Sequence, residues 1–282
     1  MIGILGALRS SAVRSRKRVA IGAVQITQGF LASLSEGARV ADLVVVGAEV
    51  PGYECVQAKG EEAIAEQLVA LGISGAVDAI VRGQLYYTYY HASIKSQLNV
   101  RRDLMCPCLI KDVCGNEWFL TPVVQHDDAS VEGRSYLASQ AARICTKLGV
   151  DPVIGVLAAD SERGYLRSVD ASLDDAEAIV SKLKKNGYGR CAMYPLRIDK
   201  AASECNIVIP MDGTVGNFVC RALAYLGGAS LVGGFSLTSR VVSIDTSRAN
   251  DRFGPAIEAA VAMSNVGGMH IEEYDGVVAR PS

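Results

Sequence analysis

The sequence holds only three histidines, His91, His126 and His270, and one tryptophan in 282 residues. So few imidazoles leave little material for a histidine-ligated metal centre or for imidazole acid–base chemistry. No serine or cysteine stands in a G-x-S-x-G context near them, which excludes the nucleophile elbow of acyl hydrolases. His91 and His126 therefore read as exposed or satisfied polar residues. A surplus of one charge is also missing, since 28 basic residues meet 30 acidic ones for a formal net charge of -2. That balance gives no electrostatic footprint for nucleic acid or an anionic membrane. No apolar run approaches the roughly 20 residues that span a bilayer. The apolar start Met1–Leu8 is followed by Arg9, Arg14, Arg16, Lys17 and Arg18, the reverse order of a secretory signal.

Half the residues are hydrophobic and 21% are charged, a folding composition rather than a disordered one. The eight cysteines are scattered, which suits buried thiols in a reducing cytoplasm. Cys106, Cys108, Cys114 and His126 invite a zinc reading. Their C-x-C spacing is off the usual pattern of cysteines two to four apart, so thiols of a strand and its hairpin are expected, with no metal.

Short β-branched runs alternate with helical patterns. Val19–Val24, Leu43–Gly47 and Val77–Val81 read as strands; Gln28–Ser35, Glu61–Leu71 and Tyr86–Leu98 read as helices. This rhythm indicates βαβ units on a parallel sheet. The runs Cys108–Val113 and Trp118–Val124 flank Cys114-Gly115-Asn116-Glu117 and predict a hairpin that leads into a second lobe. Beyond it come a helix over Glu132–Leu148, a strand over Val153–Ala158, a helix over Ser172–Lys185 and a strand over Cys191–Leu196. Cys205–Ile209 is a further strand, Phe218–Leu226 a helix, Ala229–Val232 a short strand and Pro255–Asn265 the last helix. The fold class is α/β with open sheets.

Ligands of such sheets bind beyond the carboxyl ends of strands, in glycine-bearing loops. Four loops qualify: Asp212-Gly213-Thr214-Val215-Gly216-Asn217, Ala159-Asp160-Ser161-Glu162-Arg163-Gly164, Arg82-Gly83-Gln84 and Asp245-Thr246-Ser247-Arg248. Glycines admit close backbone approach, and free amides at a helix start suit a phosphate. The same glycines also occur in α/β turns that bind nothing. A complete G-x-G-x-x-G, a Walker loop and a glycine-rich methyl-donor loop are all missing. Tyr86, Tyr87, Tyr89 and Tyr90 cluster on one helix, as core, subunit contact or stacking surface.

The order of these segments resembles the phosphotransacetylase and phosphate acyltransferase superfamily. CNIVIPMDGTVGNFVCRALAYLGGASLVGG is similar to that group's strand, turn, helix and Gly-Gly segment, with Asp212-Gly213 and Gly216-Asn217 matching D-G-x-x-G-N. Asp245-Thr246-Ser247-Arg248 falls where phosphotransacetylases carry D-x-S-R. VDAIVRGQL looks like their A-D-G-x-V-x-G strand, and VLAADSERG stands at their S-x-S-T-K-G-S loop. Two positions depart: Gly254 replaces an acidic residue seven places after the serine, with Asp251 nearby, and Arg163 replaces the loop lysine. Within the superfamily, the chain most resembles the methanogenesis marker protein 4 (MtxX) family, which is named for a methyltransferase subunit.

The resemblance implies a two-lobed, isocitrate/isopropylmalate dehydrogenase-like fold. Lobe I would hold residues 1–104, lobe II 105–245, and 246–282 would return to lobe I. The cleft between them would collect Arg82, Gly83, Ser161, Arg163, Gly213, Thr214, Gly216 and Asn217 around a phosphate- or coenzyme-A-type anion. Ser247 and Arg248 would act on the reacting group, with Asp251 or Asp245 as base. Charge neutralisation would supply most of the catalysis. A second reading is a methyltransferase subunit of methanogenesis. It needs a methyl-carrier or corrinoid partner, because no D-x-H-x-x-G loop occurs. A third is a regulator that retains the fold without the reaction. Superfamily members commonly dimerise, so a homodimer is expected, in the cytoplasm.

Overall fold

The computed structural model describes residues 3–98, 106–125, 127–238, 240–247 and 251–268. The chain divides into two compact units, one of Leu5–Leu104 with Val232–His270, the other built on Met105–Leu231.

The first unit opens with α1 (Ile4–Ala12), then β1 (Lys17–Ala23), α2 (Gln28–Gly37), β2 (Ala41–Gly47), β3 (Glu54–Gln57), α3 (Glu61–Ile73), β4 (Ala79–Val81) and α4 (Tyr87–Leu98). The last five residues of β1 are all buried, as are Val44, Val45 and Val46 of β2. Helices on both faces of a parallel sheet demand such unbroken apolar strands, each buried Val or Ile contributing roughly 1.5–3 kcal/mol. Thr27 caps α2, its hydroxyl accepting the Phe30 amide.

In the second unit, β5 (Cys108–Lys111) and β6 (Glu117–Leu120) form the antiparallel hairpin expected from the sequence. They are followed by α5 (Val131–Lys147), β7 (Ile154–Ala158), α6 (Arg167–Lys185), β8 (Cys191–Pro195), α7 (Ile198–Glu204), β9 (Ile207–Ile209) and α8 (Gly213–Tyr225). Strand order within this unit is β5-β6-β9-β7-β8, with β6, β9, β7 and β8 parallel to one another. Trp118, Ile110, Leu120, Leu157 and Val208 form a core cluster beneath α7 and α8.

The chain then completes the first unit with β10 (Ser230–Ser236), β11 (Val242–Asp245) and α9 (Gly254–Asn265). Strand order there is β3-β2-β1-β4-β11-β10, parallel except for β10 against β11. Helix α9 buries eight of its residues, and its entry residue Phe253 meets Phe30 edge-on at 5.9 Å.

Two expected helix starts move by five residues. Helix α6 begins at Arg167 instead of Ser172, and its N-cap, Leu166, makes no side-chain bond that would announce it. Helix α8 begins at Gly213 instead of Phe218, so Gly213–Asn217 is not a loop but the first turns of a helix. Asp212 caps it by accepting the Val215 amide at 2.8 Å. Four elements lacked an expectation: α1, β3, α7 and β11.

Candidate functional site

Strands β4 and β11 run parallel as neighbours, so their carboxyl ends lie side by side. Arg82 follows β4 and Asp245 closes β11. Arg82 Nε stands 2.5 Å from Asp245 Oδ1. The contact lacks hydrogen-bond alignment, and among the described residues neither atom has a hydrogen-bond partner. Arg82 is 6% exposed; its Nη1 donates to the Leu85 carbonyl at 3.2 Å, and its guanidinium carbon lies 5.9 Å from the Tyr87 ring centroid. Tyr87 stacks in turn on buried His91 at 4.9 Å. Burial pushes the Asp245 carboxyl above its ordinary value, against the pull of Arg82 and of the Thr246 amide. Desolvation thus outweighs attraction in this pair.

The surrounding loops are tied together. Gly83 takes φ +65, and a Cβ there would collide with the Gly22 carbonyl, so glycine is required. Thr246 Oγ1 donates to the Gly83 carbonyl at 2.9 Å, while Gln84 Oε1 accepts the amides of Val24 and Gln25. Tyr90, buried on α4, bonds Ser243 of β11 at 2.6 Å, whereas Tyr86 and Tyr89 are exposed.

Ser247 follows this corner and is half-buried. Arg248 lies outside the described residues, as do His126 and His270. Asp251 is exposed, and its carbonyl accepts the Ser33 hydroxyl at 2.8 Å; the same hydroxyl accepts the Phe253 amide. At Gly254, a Cβ would collide with the carboxylate of Glu36 from α2. The carboxylate beside the start of α9 is thus supplied by another helix, which no local reading of the sequence discloses.

The remaining candidates belong to the other unit. Ser161 lies in an exposed turn, its amide donating to Asp160 Oδ1. Arg163 is claimed by two carboxylates of α6, at 2.5 Å from Asp174 and 2.8 Å from Glu177, and both bonds raise its already high pKa. Gly213 and Gly216 are buried, and a Cβ on either would collide with the carbonyls of Val124 and Pro122. Their missing side chains admit neighbouring backbone. Asn217 donates to the Val123 carbonyl at 3.1 Å and accepts from Arg221 Nε at 2.8 Å. Thr214 is exposed at the helix start.

Sequence reasoning passed over Arg134, which is 1% exposed on α5. Its Nη2 donates to Asp175 at 2.5 Å, while Nε and Nη1 have no hydrogen-bond partner among the described residues. Burial lowers its pKa, opposed by Asp175, Asp212 and Asp128. A cavity of about 290 Å³ in this unit, lined by Asp151, Arg190, Glu204 and Asn206, opens at the amino ends of β7, β8 and β9. That is the edge opposite to where α/β sheets hold ligands. Among the described residues no group of three or more His, Cys, Asp or Glu could hold a metal ion. No helix among them is long and apolar enough to cross a membrane.

The sequence aligns over 202 residues, at 30% identity, with the candidate methyltransferase mtx subunit X of Methanosarcina barkeri, covering 71% of this chain and 73% of that one. The chain belongs to the mtx subunit X family. The subunit X protein of Methanosarcina mazei is 29% identical over 277 residues, 94% of this chain and 97% of its own. No family model matches the sequence. The subunit X fold is phosphotransacetylase-like. A branched-chain phosphotransacylase from Enterococcus faecalis V583 superposes with a TM-score of 0.66 at 16% identity, over 88% of this chain and 99% of that one. A Staphylococcus aureus phosphotransacetylase gives 0.64 at 12% identity, over 92% and 98%.

Proposed function

We propose that this chain is a transferase subunit that binds a phosphate- or coenzyme-A-type anion at Arg82. The observation that carries this reading is the state of the Arg82–Asp245 pair. Arg82 Nε is buried beside a carboxylate yet makes no hydrogen bond among the described residues, and burial disfavours that carboxylate's charge. A phosphate oxygen aligned on Nε would give the guanidinium the bond Asp245 withholds. Ser247 and Arg248 follow from the same strand end, where they would meet the leaving group and its charge, with Asp251 or Asp245 taking a proton. The finer parts of the proposal come from the superfamily resemblance: an isocitrate/isopropylmalate dehydrogenase-like class, a ligand held in the interlobe cleft, and a homodimer in the cytoplasm. Ser161, Arg163, Gly213, Thr214, Gly216 and Asn217 would contribute from the second lobe, Arg163 after leaving Asp174 and Glu177.

A second reading, a methyltransferase subunit acting with a methyl-carrier or corrinoid protein, is favoured by the name its Methanosarcina relatives carry. Thermal stabilisation by phosphate, coenzyme A, acetyl phosphate and adenosylmethionine separates the two. A ligand at 100 times its Kd adds about 2.7 kcal/mol. A shift with phosphate or coenzyme A that Arg82→Gln abolishes, in a variant with unchanged circular dichroism, supports the anion site. A shift with adenosylmethionine alone replaces it with the methyl reading.

A further inference from the structure

We propose that Cys108 of β5 and Cys220 of α8 are a thiol-oxidation site, closing reversibly into a disulfide. The proposal does not depend on the ligand at Arg82. Gly213, Gly216, Cys220 and Leu223 recur at helical spacing and fall on one face of α8. The two glycines let that face press onto the carbonyls of Val124 and Pro122. The close approach carries the next turn onto the hairpin, where Val219, Cys220 and Leu223 pack against Cys108, Ile110 and Trp118. Cys220 Sγ then stands 3.9 Å from Cys108 Sγ, across 112 residues of sequence. Against a disulfide bond length of about 2.05 Å, the sulfurs need to close by about 1.9 Å.

The two thiols differ in access. Cys108 is 7% exposed, whereas Cys220 is half-buried. Contact with Cys108 and the charge of Arg221 lower the Cys220 thiol, against burial, which raises it. The more accessible thiol attacks first. With a small-molecule disulfide as oxidant, the Cys220 thiolate attacks one sulfur and the reagent's S–S bond breaks. One reagent thiolate leaves and takes up the proton Cys220 gave up. Cys108 then loses its proton and attacks Cys220 Sγ, expelling the second reagent thiol, which carries that proton away. Two protein thiols are oxidised to one disulfide, and one reagent disulfide is reduced to two thiols. The bridge would lock α8 to β5, and with it the Asp212 cap and the Asn217 bond to Val123.

The test is peptide mapping of the full chain after oxidised glutathione, iodoacetamide and digestion without reduction. The expected product is a peptide pair joining Cys108 to Cys220, lost on treatment with dithiothreitol. Cys108→Ser should stop the reaction at a glutathione adduct on Cys220. Exposed Cys114 reports that the reagent has acted. If Cys114 carries glutathione while Cys108 and Cys220 are unlinked, or if either is joined to another cysteine, the proposal is overturned. The wild-type map decides the matter even where a variant folds poorly.

Discussion

Asp245 Oδ1 sits 2.5 Å from Arg82 Nε, joining the ends of two neighbouring parallel strands, yet neither atom completes a hydrogen bond there. Each charge has left water for a partner that satisfies it only partly. Removing one partner strands the other, at a cost of about 3–5 kcal/mol, whereas replacing both with apolar groups is often neutral or stabilising. Arg82→Met is therefore expected to destabilise by about that amount, and Arg82→Met with Asp245→Leu to recover most of it. Urea unfolding at neutral pH measures both. A double variant no better than the single one would remove the pair as the source.

The same pair sets a pH dependence. Burial raises the Asp245 carboxyl above its ordinary value of 3.8, so the native state binds this proton more readily than the unfolded chain. Its contribution to stability is complete below 3.8 and is lost as pH rises through the native value. Asp245→Asn lacks that titration. Unfolding free energies taken upward from acid pH should show the wild type losing ground to the variant, and a constant difference would refute the assignment.

Gly213 and Gly216 test whether α8 is held by backbone contact. A methyl at either position meets a carbonyl, a group that cannot swing aside. Gly216→Ala should cost about 1–3 kcal/mol or more by overpacking. Gly189 is exposed, with nothing within 4 Å of the place an added methyl would take, and Gly189→Ala should stay within about 0.5 kcal/mol. Denaturant midpoints for the two variants give the comparison directly.

Arg134 gives a prediction of opposite signs at one contact. Its Nε and Nη1 are buried without acceptors among the described residues, while its partner Asp175 is half in solvent. Arg134→Met removes a buried charge with two donors that no described residue satisfies, leaves Asp175 half in solvent, and should be neutral or stabilising. Asp175→Asn takes from the buried guanidinium its hydrogen-bonded counter-charge and should destabilise. Thermal melts of the two variants should move apart.

Alkylation should also grade the cysteines. Burial pushes the Cys145 and Cys191 thiols up to about 12, so at pH 8 almost no thiolate exists there. Cys114 is exposed on the hairpin. Native iodoacetamide labelling followed by mass spectrometry should modify Cys114 first and leave Cys145 and Cys191 untouched until denaturant is added.

Strands buried on both faces were legible because they write unbroken apolar runs: Val19–Val24 and Leu43–Gly47 overlap β1 and β2, each starting two residues late. The hairpin was legible because Gly115 and Asn116 punctuate two such runs. The start of α8 was misplaced because glycine normally breaks helices, and here it serves a contact with residues some ninety positions earlier. Strand β11 escaped because Val242-Ser243-Ile244-Asp245 is short and buries a serine whose partner, Tyr90, is 153 residues away. The pairing of Arg82 with Asp245 needs the β4–β11 register, which no local pattern contains. The double capture of Arg163 was closer to hand, since Asp174 and Glu177 stand three apart on one helix face.

The carbonyls beneath Gly213 and Gly216 bear on how such chains are traced through evolution. A D-G-x-x-G-N signature that must keep Asp as a helix cap, two glycines against main chain and Asn as a bridge to Val123 can be held by folding alone. A descendant that had exchanged one reaction for another, or given up reaction altogether, would still be under pressure to spell these letters. Persistence of the motif therefore traces descent of the scaffold, and divergence of chemistry is better sought at the Arg82 and Asp245 corner.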